Sequence, residues 1–207
     1  MSASGSFWRG DTALVLASGS ATRRSMLENA GLPVDAIRPE VDERAVETDF
    51  LAGGGEASAV AAALAAAKAL AVSQDMPGRW VLGADQTLTC EGTAFHKPVD
   101  ENAALLQIAA LSGKRHELTS AFALARDGVV VRNGSRQVGM LMRELDAGFI
   151  ERYVAEAGPA ATASVGGYQI EGLGAQLFSG IDGDHFTILG LPLLDLLAAL
   201  RELELLA

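Results

Sequence analysis

A short strand, a loop with two serines and a helix near the N-terminus carry side chains suited to binding phosphate. Residues 12–17 are an apolar run, residues 18–20 interrupt it, and residues 23–30 have the pattern of a helix that a glycine ends. Ser20 is placed to be the helix N-cap, and the N-terminus of a helix attracts phosphate through its unpaired N–H groups and dipole. Arg23, in the first turn, either binds that phosphate bidentately or is an ordinary solvated arginine.

Two acidic residues are candidates for holding a metal or activating water. Asp85 directly follows the apolar run 80–84, which predicts a buried strand ending at this carboxylate. Because binding sites in open α/β sheets lie at the carboxyl ends of strands, Asp85 would hold a metal or accept a proton from water. The alternative is that it only caps the next turn. Glu43, in the polar and irregular segment 39–49, is a second candidate acid that would by itself be read as solvated.

Lysines recur beside these elements, at positions 68, 97 and 114. Lys68 is the only charged residue between Glu56 and Asp75, in a segment rich in alanine. On such an apolar helix its ammonium group must either reach water along its own stem or meet an anion. The sequence leaves both interpretations open.

The elements that would position these side chains follow from the periodicity of apolar residues. Helices are expected over 23–30, 56–72, 101–111, 146–157 and 191–205, and strands over 12–17, 80–84, 117–125, 128–131 and 137–144. Arg126, Asp127 and Gly128 form a hairpin turn signal. Strands, helices and a hairpin in this order predict a single α/β or α+β domain with a mixed sheet over residues 1–207, of which residues 1–11 form a loose polar leader.

Composition and charge narrow the function classes. The chain has 207 residues, enough for a hydrophobic core, and its one cysteine, Cys90, excludes an internal disulfide and a cysteine-based zinc site. A net charge of −10 argues against a nucleic-acid polymer as partner, although a cleft with a few cations can still bind a small anion. The N-terminus has no signal-peptide pattern and no stretch predicts a membrane span, so a cytoplasmic protein is expected.

Other hydrolytic sites lack their sequence signatures. No Gly-x-Ser-x-Gly elbow and no Gly-x-x-x-x-Gly-Lys-Ser/Thr phosphate loop occur in the chain. His96, His116 and His185 lie in polar contexts typical of surface residues, and Cys90 has no motif around it that would mark a nucleophile.

Taken in order, the short motifs resemble those of the Maf family of nucleotide pyrophosphatases. The resemblance covers residues 13–200 and is carried by Ser18-Gly-Ser20-x-x-Arg23, Val41-Asp-Glu43, Ala67-Lys68-Ala69, Gly83-Ala84-Asp85-Gln86, Lys97-Pro98, Leu111-Ser-Gly113, Glu171-Gly172, Gly183-Asp184 and Gly190-Leu-Pro-Leu193. It implies hydrolysis of the α–β phosphate bond of a nucleoside triphosphate, dependent on a divalent cation such as Mg²⁺, Mn²⁺ or Co²⁺. It also implies a homodimer and an α/β fold similar to inosine triphosphatase, in which two lobes around a deep cleft share a central mixed sheet flanked by helices.

The resemblance assigns roles residue by residue. Asp85 resembles the catalytic proton acceptor, and Glu43 resembles an acid that positions water or, with Asp85, holds the metal. The phosphate-binding set is matched by Ser20, Arg23, Lys68 and Lys97. Because the family name derives from septum formation, a non-catalytic nucleotide-binding regulator of cell division is the alternative function.

Base specificity is expected to depend on Thr22, Gln86 and Glu171. Gln86 and Glu171 are similar to the branch of the family that prefers 7-methyl-GTP, whereas the pyrimidine-preferring branch has threonine and glutamine there. A carboxylate accepts from both guanine N1–H and the N2 amine, while glutamine suits the donor and acceptors of a pyrimidine. Thr22 departs from the arginine common in the family and from the tryptophan of the 7-methyl-GTP branch, which leaves the base open.

Overall fold

The computed structural model describes residues 7–207, so residues 1–6 of the predicted leader lie outside it. The strands are β1 Leu14–Ala17, β2 Val34–Ile37, β3 Val81–Cys90, β4 Thr93–Phe95, β5 Arg115–Arg126, β6 Val129–Met142 and β7 Phe178–Asp182. The helices are α1 Ala21–Asn29, α2 Glu43–Ala52, α3 Val60–Ser73, α4 Glu101–Leu111, α5 Ala147–Ala157, α6 Ala160–Ala163, α7 His185–Ile188 and α8 Leu193–Glu202. Short 3₁₀ turns occur at Ala57–Ala59, Val165–Gly167 and Leu173–Leu177.

The strands form one mixed sheet of seven strands, which confirms the predicted α/β class. Their order is β2-β1-β3-β5-β6-β7, with β4 paired to β3. Strand β1 pairs in parallel with both β2 and β3, whereas β4 and β7 pair antiparallel to β3 and β6. Strand β1 is fully buried, as expected for a parallel strand with neighbours on both sides.

The chain divides into two compact units. The first contains the described residues up to Asp85, together with Ser120–Arg136 and Leu189–Ala207. Its core includes a layer of alanines from α3 and β5. The second contains Gln86–Thr119 and Gln137–Ile188, and its core is built from larger side chains, including those of α4 and α5. A single domain and a cleft between two lobes stay predictions.

The sequence pattern was wrong about two segments that concern the site. Residues 39–49 are not irregular, because Asp42 accepts a hydrogen bond from the Ala45 amide at 3.1 Å and caps helix α2, which begins at Glu43. Helix α2 has no buried residue, so it lacks the apolar stripe by which a helix is recognised in a sequence. Strand β3 also does not end at Asp85; it continues to Cys90.

The predicted hairpin turn and three of the predicted helices are confirmed. Asp127 and Gly128 have φ angles of 52° and 74°, the backbone that a tight hairpin with a right-handed twist requires. Helices α4, α5 and α8 lie where the periodicity predicts them. The described part of the leader is held against the C-terminus, since Trp8 is 6% exposed and pairs with Leu206 in an isolated antiparallel bridge. Among residues 7–207, no helix combines the length and apolarity that a membrane span requires.

Candidate functional site

The loop between β1 and α1 has the predicted helix cap. The Ser20 hydroxyl accepts a hydrogen bond from the Arg23 amide at 3.3 Å, and the Ser20 amide donates to the Ser18 hydroxyl at 3.3 Å. These bonds fix the loop so that the nine-residue helix α1 begins immediately after it. The first turn of α1 therefore presents backbone N–H groups and a positive dipole end beside this loop.

Arg23 is not a solvated surface arginine. Its Nε donates to the Gly190 carbonyl at 2.8 Å, and its Nη1 donates to the Ala84 carbonyl at 3.0 Å and to the Ser18 hydroxyl at 3.2 Å. Burial lowers the pKa of the guanidinium, while the charges of Asp85 and Glu43 act in the opposite direction. Arg23 thus connects the loop after β1, strand β3 and the segment before α8.

The neighbouring arginine shows the contrast. Arg24 is exposed and forms an i,i+4 ion pair with Glu28 at 2.8 Å on the outer surface of α1. Such a pair contributes only a few tenths of a kcal/mol. Of the two arginines in the first turn of α1, Arg23 alone is part of the site.

Lys68 meets anions rather than water. Its ammonium group lies 2.5 Å from Asp85 Oδ1 and 2.7 Å from Glu43 Oε1, and the residue is only 6% exposed. Asp85 is buried as well, at 7% exposure, whereas the Glu43 side chain remains 57% exposed. We call Glu43, Lys68 and Asp85 the acid–lysine cluster.

Close packing of α3 on β3 brings Lys68 to Asp85. A Cβ atom at Gly83 would lie 2.1 Å from the Ala65 carbonyl and 2.6 Å from the Ala69 amide. Only glycine at this position lets the helix backbone contact the strand directly. The small alanine side chains of α3 also allow the helix to lie close to the sheet. From this short distance the Lys68 side chain reaches the Asp85 carboxylate.

Asp85 lies where the parallel pairing ends, although not at the end of its strand. The register joins Ala17, the last residue of β1, to Gly83, and the loop of the phosphate-binding candidates starts at Ser18. Beyond Asp85, β3 pairs antiparallel with β4 from Leu88 onward. The predicted end of β3 at Asp85 is therefore wrong, but Asp85 lies two residues beyond Gly83, the last residue of β3 that pairs with β1.

The other predicted residues lie in different surroundings. Thr22 is exposed in the first turn of α1. Lys97 and Lys114 belong to the second unit. Lys97 is exposed after β4, and Lys114 is partly exposed in a 2.8 Å ion pair with Glu91. The phosphate-binding role of Lys97 stays a prediction.

Both candidate specificity residues of the second unit have polar partners. Gln86 Nε2 donates to the carbonyls of Thr187 and Ile188, each at 3.0 Å. Glu171 Oε1 lies 3.2 Å from His185 Nε2, and both side chains are more than half exposed. His185, which begins α7, is thus adjacent to a residue whose sequence motif suggested base recognition.

Sequence reasoning missed two groups that the structure places in the site. Ser18 binds both Arg23 and the Ser20 amide, and the Gly190 carbonyl accepts from Arg23. Gly190 has φ +100°, a backbone that favours glycine, and a Cβ there would lie 3.3 Å from the Arg23 guanidinium. Ser18 and Gly190 both belong to the motifs that carry the family resemblance, but the sequence assigned neither of them a contact with Arg23.

The alternative nucleophiles have no support from their environments. Cys90 is buried, and burial raises the pKa of its thiol, which disfavours the reactive thiolate. His116 is 1% exposed beside Tyr168, with its Nε2 2.7 Å from the hydroxyl, and burial lowers its pKa to about 4. The prediction of a surface histidine at 116 is therefore wrong, and the residue is a core histidine.

The charges of the first unit balance around the cluster. Glu43 and Asp85 carry two negative charges, and Lys68 and Arg23 carry two positive charges, so the four cancel. Within residues 7–207, no group of three or more His, Cys, Asp or Glu side chains could hold a metal ion. Two carboxylates, two cations and a helix N-terminus suit a ligand that carries its own oxygens and negative charge, such as a phosphate ester.

Comparison with known proteins agrees with a ligand that contains phosphate. The sequence profile of a family described as Maf-like protein matches residues 13–203. A nucleoside triphosphate pyrophosphatase of Rhodopseudomonas palustris (strain BisB18) is 54% identical over 200 residues, covering 97% of this chain and 98% of the relative. A 7-methyl-GTP pyrophosphatase of Mesorhizobium japonicum is 53% identical over 190 residues, covering 92% and 96%. Another 7-methyl-GTP pyrophosphatase, of Brucella abortus biovar 1, is 51% identical over 189 residues, covering 91% and 95%.

Proposed function

The chain belongs to the Maf-like family, and from this premise we propose that it is a nucleoside triphosphate pyrophosphatase, a hydrolase that releases pyrophosphate and a nucleoside monophosphate. The observation that carries this proposal is the acid–lysine cluster beside the capped N-terminus of α1. A binding protein would need only cations and N–H donors for a triphosphate. Two carboxylates beside those donors would repel the ligand unless they do chemistry or hold a metal.

Asp85 is the proton acceptor in this proposal. The water oxygen bonds to the α-phosphorus, the bond from that phosphorus to the bridging oxygen breaks, and pyrophosphate leaves with the bond electrons. The water proton passes to Asp85, whose Oδ1 lies 2.5 Å from the ammonium group of Lys68. Such general-base assistance contributes roughly 10²–10⁴ to the rate.

The phosphate chain is held by groups of the first unit and by Lys97. The N–H groups at the start of α1 and the Ser20 hydroxyl bind phosphate oxygens, and Lys68 moves towards them when the triphosphate is present. In the described part of the chain, Arg23 Nη2 makes no hydrogen bond, which leaves one nitrogen of the guanidinium for phosphate. Hydrolysis of a phosphate anhydride depends mainly on such positioning and charge stabilisation.

A divalent cation fits the donor set. Mg²⁺ is usually bound by one or two carboxylates together with substrate phosphates, rather than by an all-protein cage. Glu43 Oε1 and Asp85 Oδ1 both lie within 2.7 Å of the Lys68 nitrogen, so these two carboxylates would hold the ion. The ion would neutralise charge that develops on the phosphate oxygens. Because the charges of Glu43, Asp85, Lys68 and Arg23 cancel, these residues do not neutralise the negative charge of a triphosphate, and the ion would do so.

The preferred base is a guanine-type nucleotide, including 7-methyl-GTP, the substrate that two relatives carry in their names. Glu171 reads the base by accepting from N1–H and the N2 amine, and Gln86 and Thr22 complete the specificity set. The His185 pair fixes one oxygen of the Glu171 carboxylate at 3.2 Å. A homodimer and a cytoplasmic location stay predictions.

A nucleotide panel tests the proposed function. Purified protein is incubated with the common nucleoside triphosphates and 7-methyl-GTP, with Mg²⁺, Mn²⁺ or Co²⁺, in water enriched in ¹⁸O. We expect pyrophosphate and a monophosphate that carries the label, because water attacks the α-phosphorus. Release of orthophosphate, or label in the pyrophosphate, would contradict the proposed bond cleavage. Binding without turnover of any nucleotide would favour the non-catalytic regulator instead.

A further inference from the structure

In the acid–lysine cluster, a protein cation lies between the two carboxylates that a metal would need. The Lys68 nitrogen is 2.5 Å from Asp85 Oδ1 and 2.7 Å from Glu43 Oε1. We propose that Lys68 is a built-in counter-ion that closes the metal site in the nucleotide-free protein and opens it when a triphosphate draws the ammonium group away. This inference rests on the proposed function and adds an order of binding to it, because the metal binds tightly only when the nucleotide is also bound.

Lys68 is suited to this role by its burial. Its side chain is 8% exposed and that of Asp85 is 10% exposed, so water does little to screen the pair. Arg23, the other cation near the cluster, donates to the carbonyls of Gly190 and Ala84 and to the Ser18 hydroxyl. In the described part of the chain, Lys68 is therefore the only cation in an ion pair with Glu43 or Asp85.

The two cations exclude each other electrostatically. An ammonium group and a divalent ion on the same two oxygens would repel at close range, so a metal has to displace Lys68 or bind one carboxylate only. Displacement without a phosphate leaves a buried ammonium group without a partner, which is costly. A triphosphate supplies that partner and adds metal ligands of its own. Metal and nucleotide should therefore each increase the affinity for the other, by the same factor.

Binding of Mn²⁺ alone to the nucleotide-free protein tests this. Free Mn²⁺ is followed by electron paramagnetic resonance during titration of the wild-type protein and variants. We expect Lys68→Met to bind Mn²⁺ at least about tenfold more tightly than wild type, because the two carboxylates then lack a counter-ion. Lys68→Arg keeps the charge and should remain at the wild-type affinity. Equal affinity of wild type and a folded Lys68→Met variant would overturn the proposal.

Two controls tie the effect to the cluster. Lys114→Met removes a lysine from an exposed 2.8 Å pair with Glu91 and should leave Mn²⁺ affinity unchanged. The double variant Lys68→Met/Asp85→Asn should lose the gain, because one of the two carboxylates is gone. A gain that persists in the double variant would place the new Mn²⁺ site elsewhere and overturn the proposal.

Folding of the variants is checked by far-ultraviolet circular dichroism. If Lys68→Met does not fold, Lys68→Gln carries the same expectation, and the wild-type protein supplies an independent test. Mn²⁺ alone should leave its Tm unchanged, whereas Mn²⁺ with a guanosine α,β-methylene triphosphate should raise Tm more than the nucleotide alone. A rise in Tm with Mn²⁺ alone would count against a site that Lys68 closes.

Pyrophosphate release by the wild-type protein is measured in parallel. Turnover combined with an unchanged Mn²⁺ affinity in the Lys68 variants overturns the counter-ion role and leaves the proposed function standing. No turnover with any nucleotide overturns the proposed function, while a Mn²⁺ gain in Lys68→Met would still support a cation site that Lys68 closes.

Discussion

At the residue scale, the proposed chemistry depends on Asp85 as the proton acceptor. It is 7% exposed and is bound by Lys68, so a neutral asparagine would keep the shape and a hydrogen-bond acceptor while losing the base. We expect Asp85→Asn to lower kcat by about 10²–10⁴ and to leave binding of a non-hydrolysable triphosphate detectable by calorimetry. Asp195→Asn, which removes a carboxylate paired with Arg136 in the same unit, is the matched control and should keep full activity. A kcat near wild type for Asp85→Asn would exclude Asp85 as proton acceptor.

Glu171 is the residue at which base preference is tested. Its carboxylate lies 3.2 Å from His185 Nε2 and is exposed, so an amide can replace it without loss of packing. Glu171→Gln should lower the kcat/KM ratio of guanine to pyrimidine nucleotides by about tenfold, because each mispaired group in a base site costs roughly 1–3 kcal/mol. Glu156→Gln, also exposed in the second unit, should leave the ratio unchanged. An unaltered ratio for Glu171→Gln would remove this residue from base recognition.

Single side chains were predictable where a short motif fixed their geometry. Ser20 capped α1 as expected, since the loop residues and the helix start lie within a few positions of each other. The partner of Lys68 was not predictable, because Glu43 and Asp85 come from distant parts of the chain and meet only through α2, α3 and β3. The sequence indicated that the Lys68 ammonium group contacts either water or an anion, and only the tertiary structure shows that it contacts two carboxylates.

At the element scale, the contact between α3 and β3 sets the distance from Lys68 to Asp85. A methyl group at Gly83 would lie 2.1 Å from the Ala65 carbonyl, which is backbone and cannot rotate away. We expect Gly83→Ala to push α3 from β3, to lower the free energy of unfolding by about 1–3 kcal/mol and to reduce kcat/KM. Gly180→Ala is the control, because its new Cβ would be 3.8 Å from the nearest atom, in Leu141. Urea unfolding and kinetics check both, and a Gly83→Ala variant with normal stability and rate would contradict this packing.

Elements were predictable when their own pattern carried the signal. The hairpin at Asp127 and Gly128 and the helices with an apolar stripe are local in origin. Helix α2 is fixed by a cap and lies on the surface, and the extension of β3 beyond Asp85 depends on pairing with β4. Both errors arose where a tertiary partner, or a single cap, outweighs hydrophobic periodicity.

At the scale of the whole molecule, family membership and class followed from the sequence, whereas the division into two units did not. Strands β3, β5 and β6 each contribute residues to both units, so no linker or change in composition marks a boundary. The core of the first unit includes an alanine layer beside larger side chains such as Leu14 and Phe122, and that of the second includes the buried His116 and Tyr168. This polar pair places a titratable group in the interior, and stability should depend on pH as a result.

His116 makes the folded protein sensitive to acid. Burial lowers the pKa of its imidazole from 6.5 to about 4, so the unfolded chain binds a proton between these values while the folded protein does not. Its contribution is therefore intact above pH 6.5 and is lost progressively as the pH falls to about 4, by roughly 3 kcal/mol in all. His116→Gln, which can still bond to Tyr168 but does not titrate, should lose less stability between pH 7 and pH 5 in urea unfolding at each pH. His96→Gln, on an exposed histidine, should keep the wild-type dependence. If His116→Gln and wild type lose stability in parallel over this range, the acid sensitivity arises from other groups.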